Sequence, residues 1–74
     1  MRYGEKTTFI VDGFNICEVL FQDNGSGHGR VYRNDENIYD GYDWDAQKAY
    51  EAEVDRIKAI CERRNCKFEV VVTK

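Results

Sequence analysis

The 74-residue chain contains no proline, so no slow X-Pro isomer and no proline kink shapes its fold. It holds one histidine, His28, and one serine, Ser26, a thin inventory for acid–base or nucleophilic catalysis. No second histidine is present to activate Cys17, Cys61 or Cys66. No apolar run exceeds three residues, as in Phe9-Ile10-Val11 and Val70-Val71-Val72, so no transmembrane span and no membrane partner are expected. The start, Met1 to Lys6, lacks the longer apolar core of a signal peptide. Three cysteines cannot all pair within one chain, which points to a reducing, cytoplasmic setting without a disulfide framework.

The same scarcity argues against cofactors and metals. Gly25-Ser26-Gly27-His28-Gly29 has neither the lysine nor the following helix of a phosphate-binding loop. Cys61 and Cys66 are too far apart for a CxxC knuckle, and Cys17, which with His28 would complete a set, reads as core along with Cys61. Counted from Asp35 as a calcium loop, the fifth and sixth positions are Tyr39 and Asp40, where an oxygen ligand and a glycine are needed. The expectation is no metal and no cofactor.

Charged residues make up 34% and apolar residues 42% of the chain, with five tyrosines, four phenylalanines and one tryptophan. That is enough to build one small core over residues 1–74, and too little for a second domain. The net charge of −3 conceals an asymmetry. Residues 34–55 carry eight acids against Lys48 alone, whereas residues 56–67 carry five bases against Glu62. Acids at the start of a helix and bases at its end account for part of this pattern, but not for Asp35, Glu36 and Asp40.

Apolar residues of both parities between Thr7 and Gln22 predict one long bent strand or two short ones, with Asp12-Gly13 as the bulge or bend. Asp23 to Gly29 reads as a mobile glycine-rich hairpin connection. Arg30–Arg33 and Asn37–Asp40 flank a tight turn at Asn34-Asp35-Glu36. Ala46, Ala49, Tyr50, Val54, Ile57, Ile60 and Cys61 recur at helical spacing. With Asp43 as N-cap and Asn65 as a left-handed stop, they predict an amphipathic helix over about 44–64. Lys67 to Thr73 is β-branched enough for a strand. The expected fold is therefore α+β: a three-stranded antiparallel meander, one helix on one sheet face, and a C-terminal strand over about 67–73. One face and at least one edge of the sheet are left open, so a homodimer or a larger partner is expected.

Between Tyr32 and Tyr50 aromatic residues alternate with acids. Tyr and Trp dominate interface hot spots, and carboxylates around them can engage arginines and speed encounter with a basic surface. Asp35, Glu36, Tyr39, Asp40, Tyr42, Asp43, Trp44 and Asp45 are the candidate partner-binding residues. Tyr50 is expected in the core, Trp44 half-buried, and Tyr39 and Tyr42 divided between inside and outside. An acidic face of this kind disfavours direct nucleic-acid binding and fits a larger protein whose basic surface holds nucleic acid.

In size and acidity the chain resembles the small phage-encoded inhibitors of host nucleases, anti-CRISPR proteins among them. That resemblance implies a non-catalytic inhibitor, with a CRISPR effector or similar nucleic-acid-binding protein as target, acting in the host cytoplasm. Separately, Val11-Asp12-Gly13-Phe14-Asn15 resembles the first strand of NYN/PIN-like ribonucleases. This second resemblance implies an alternative: a reduced metal-dependent enzyme with Asp12 on Mg2+ and Asn15 beside it. It would require further carboxylates brought to Asp12 by a parallel α/β fold.

Overall fold

The computed structural model describes residues 3–74. Strand β1 (Tyr3–Val11) turns back into β2 (Phe14–Asp23), and Asp12 and Gly13 between them both take positive φ, 53° and 81°. That is the two-residue turn whose twist matches a hairpin, and Asp-Gly is among the pairs that adopt it most readily. The segment expected to be one bent strand or two short ones is thus a long hairpin with Asp12-Gly13 at its tip.

Two-residue turns set the parity of a hairpin, and here an inserted residue resets it. Val11 pairs with Phe14 and Ile10 with Asn15, but Phe9 pairs with Cys17, so Ile16 is a bulge. Beyond the bulge, odd residues oppose odd residues. This brings Phe9 and Val19 together beneath the helix, each fully buried, with Cys17 and Phe21 partly covered beside them. The bulge accounts for the mixed parity of this stretch.

Strands β3 (His28–Arg33) and β4 (Glu36–Tyr42) repeat the device. Asn34 and Asp35 form the positive-φ turn, at 51° and 67°. Tyr32 pairs with Asn37 but Val31 with Tyr39, leaving Ile38 as the extra residue. Both Ile38 and Tyr39 consequently pack against the core. The Asn34 side chain accepts a hydrogen bond from the Glu18 amide at 2.9 Å and its own amide donates to the Glu18 carbonyl at 3.0 Å, tying this turn to the middle of β2.

Helix α1 (Asp43–Arg63) follows β4 without a loop. Its buried face, Ala46, Tyr50, Val54, Ile57 and Cys61, follows the expected spacing and packs over β2, β3 and β4. The helix ends as its sequence predicts. Asn65 takes φ 54°, its amide donates to the Glu62 carbonyl, and the Cys66 amide donates to the Cys61 carbonyl, each at 3.1 Å. Tyr42, not Asp43, holds the N-cap position and makes no side-chain cap. Asp43 lies one residue inside, where its carboxylate accepts from the Trp44 amide at 2.7 Å.

Strand β5 (Phe68–Thr73) returns antiparallel to β1. The sheet therefore has five strands in the order β4-β3-β2-β1-β5, a four-stranded meander closed by one added strand. The class is α+β, as expected, with one more meander strand. Two neighbouring antiparallel strands need only a return of the chain, and the helix supplies it by running back along the sheet from the β4 end.

Glu53 is the buried charged residue on the core face of the helix. It is 9% exposed and accepts hydrogen bonds from Arg33 at 2.8 Å and from Arg56 at 2.5 Å. The bond from Arg56, together with Arg33, holds its carboxyl below the usual range despite burial. A carboxyl with a lowered folded-state pKa stabilises the protein above the ordinary value of 4.5 and loses that contribution as pH falls through its own lowered value. The two arginines remain substantially exposed, so solvent screens the pair and the effect is smaller than for a fully buried bridge. Glu53→Gln should lower stability at neutral pH by about 1–2 kcal/mol in urea titrations, with the gap closing in acid. An unchanged gap at low pH would show that packing, not charge, underlies the loss.

Candidate partner-binding site

At the junction of β4 and α1 the chain changes from strand to helix within one residue, and the side chains on either side are left in solvent. Tyr42 is 60% and Trp44 65% exposed. Trp44 was expected half-buried. It lies two positions from buried Ala46, about 200° around the helix, and so points away from the sheet. Tyr42 stands on the sheet face away from the helix, opposite His28. Tyr39 goes the other way, paired with buried Val31 and packed against the core.

The β2–β3 loop beside this junction is pinned. The Asn24 side chain accepts from the amide of Ser26 at 2.9 Å, from the Ser26 hydroxyl at 3.0 Å and from the His28 amide at 3.4 Å. The Gly27 carbonyl accepts from the Asp43 amide at 3.0 Å, which satisfies one of the free donors at the helix start. His28, expected in the loop, is the first residue of β3.

The candidate acids do not form one surface. Asp35 and Glu36 lie in the turn and at the start of β4, about 20 Å along the strand from Tyr42. Asp40 is close to the junction, but its carboxylate is paired with His28 and lies 3.5 Å from Arg30. It thus already has two partners within the protein. The acids that remain around Tyr42 and Trp44 are Asp43, partly buried, and Asp45, exposed. Glu51 and Asp55 continue the acidic surface along the helix, both exposed, on the stripe that contains Trp44 at steps of three and four residues. That helical spacing was available in the sequence and identifies these two acids.

Asp12, by contrast, sits exposed at the tip of the first hairpin, and Asn15 is exposed on β2. Among the described residues no three His, Cys, Asp or Glu side chains converge as a metal site would require. The strand that follows the helix is antiparallel to β1, whereas the ribonuclease resemblance calls for a parallel one. Cys17, Cys61 and Cys66 are free thiols, and burial pushes the Cys17 thiol up, away from the reactive thiolate. No helix is long and apolar enough to cross a membrane among the described residues. Comparison with known proteins returns no matching family model, no matching curated protein and no matching solved structure.

Proposed function

We propose that this protein is a non-catalytic binding protein that docks the β4–α1 junction on a basic site of a larger, nucleic-acid-handling protein. The observation that carries this reading is the exposure of both Tyr42 and Trp44 at the strand-to-helix corner, one on each side of it, bordered by Asp43 and Asp45. Large aromatic side chains with few rotatable bonds lose little entropy when buried at an interface. Carboxylates at the rim steer a cationic partner and pair with its arginines. Glu51 and Asp55 extend the same field along the helix, and the basic helix end lies at the far side of a molecule 40 Å long. An inhibitor that occupies a nucleic-acid site needs this combination of anchor and charge, in keeping with the phage inhibitors that the chain resembles in size and acidity.

The test is affinity capture from a lysate at low and high salt, with wild type, Trp44→Ala and an Asp43→Asn/Asp45→Asn pair. A basic, nucleic-acid-handling protein should be retained by wild type. Trp44→Ala should weaken its binding at least about tenfold, and the double variant should lose most of the salt dependence. Binding that ignores both changes would move the interface elsewhere on the molecule and refute the reading.

A further inference from the structure

The two edges of the sheet are built differently. On the β4 edge, the strand is interrupted by the bulge at Ile38 and carries Glu36, Asp40 and Gly41, devices that discourage pairing with another strand. The β5 edge has no bulge and no glycine, and its one charged residue is Glu69. Phe68 to Thr73 pairs with β1 in unbroken register, Thr73 with Lys6 through to Phe68 with Val11. No strand among the described residues lies on its other side. The helix packs over β2, β3 and β4, so two of the three β5 valines are left exposed, while Val70 packs against the margin of the core. Val71 is 44% exposed on the face away from the helix and Val72 54% exposed on the helix side.

We infer that β5 pairs with β5 of a second copy, antiparallel about a two-fold axis, to form a ten-stranded sheet. The strand is complementary to itself. A two-fold axis normal to the sheet places residues of like parity opposite each other, so both helices fall on one side and the two open faces are continuous. With the axis at Val71, that residue meets its own copy on the open face while Val70 meets Val72 on the helix side. Glu69 then faces Thr73. Shifting the axis to Val70 would instead set the two Glu69 carboxylates diagonally across the new ladder, within reach of each other. The Val71-centred register therefore covers the exposed valines, keeps like charges apart and pairs the free backbone groups of the edge. The dimer does not depend on the proposed function. It would carry two β4–α1 junctions at diagonally opposite corners.

Sedimentation equilibrium over a wide concentration range tests it. Wild type should approach twice the chain mass of 8.7 kDa. Val71→Lys and Val72→Lys should each halve that mass while the circular dichroism stays unchanged, and Phe14→Lys, on an exposed side chain at the hairpin tip, should leave it doubled. Hydrogen exchange on unmodified protein gives a reading that needs no variant, because β5 amides facing away from β1 should slow as concentration rises. A wild type that stays at the chain mass, a doubled mass that survives both lysines, or β5 exchange indifferent to concentration would each overturn the inference.

Discussion

Replacing Tyr50 by alanine should cost about 3–5 kcal/mol, the largest loss from any single site considered. The side chain is 4% exposed, lies in the middle of the helix face that closes the core, and stacks at a tilt against Phe21 with ring centroids 5.9 Å apart. Its hydroxyl is hydrogen-bonded to the hydroxyl of Thr7, itself buried. A domain of this size has only about 4–11 kcal/mol of stability in all, so the alanine variant should be partly unfolded at body temperature. Tyr50→Phe separates the ring from the hydroxyl. It keeps the packing, leaves Thr7 without its partner, and should cost about 1–2 kcal/mol.

The same residue gives the protein an alkaline limit. Burial, reinforced by the nearby Glu5 carboxylate and opposed by the Thr7 hydrogen bond, pushes the Tyr50 phenol from 10.0 up to about 12. A group whose folded pKa is raised contributes stability that is complete below its unfolded value and lost as pH climbs toward the folded one. Wild type should therefore lose about 2–3 kcal/mol between pH 10 and pH 12. Tyr50→Phe should lack this component of the alkaline transition. Urea midpoints measured across that window would decide the matter, and parallel curves for the two proteins would refute the assignment.

Gly29→Ala should cost about 2–3 kcal/mol and should weaken partner binding as well. A β-carbon at this position would lie 2.7 Å from the Ala46 β-carbon, 3.1 Å from the Asp43 α-carbon and 3.3 Å from the Phe21 ring. Two of these neighbours belong to the helix, one of them backbone, so the start of α1 must lift from the sheet. Asp43, Trp44 and Asp45 ride on that turn. The stability loss and the binding loss therefore share one cause. Ala46→Gly, made in the Gly29→Ala background, removes the closest contact and should recover part of both, although on its own it should destabilise through helix propensity and a lost core contact. Additive effects of the two substitutions in urea titrations would show that the crowding does not control the position of the helix.

These sites also mark how far local sequence carries the fold. The helix was legible because Ala46, Tyr50, Val54, Ile57 and Cys61 repeat at its period, and its end because Asn65 tolerates the left-handed conformation. The core place of Tyr50 followed from the same spacing. Glu53 was equally legible in retrospect, since it lies on the buried seam between Tyr50 and Ile57. A charge there is tolerable only because β3 supplies Arg33 across the interface, a pairing that no periodicity encodes. For the candidate site, the aromatic and acidic content could be read directly, but its division along β4 could not. Neighbours in a strand alternate faces and spread out along its length, so residues close in sequence became two separate groups.

The amino-acid sequence by itself determined the helix and its left-handed stop, the tight turn at Asn34-Asp35 and the direction of the helix charge, because these depend on backbone preferences and on residues within one or two turns of each other; Asp12-Gly13 it marked only as a bulge or bend. Only the tertiary structure decided the strand order, the bulges at Ile16 and Ile38, the internal pairing of Asp40 with His28, and the exposure of Trp44, Val71 and Val72. Each of those depends on which distant segment arrives alongside, and the free energy of that meeting comes from burial and ladder hydrogen bonds that a local pattern cannot assign to one partner over another.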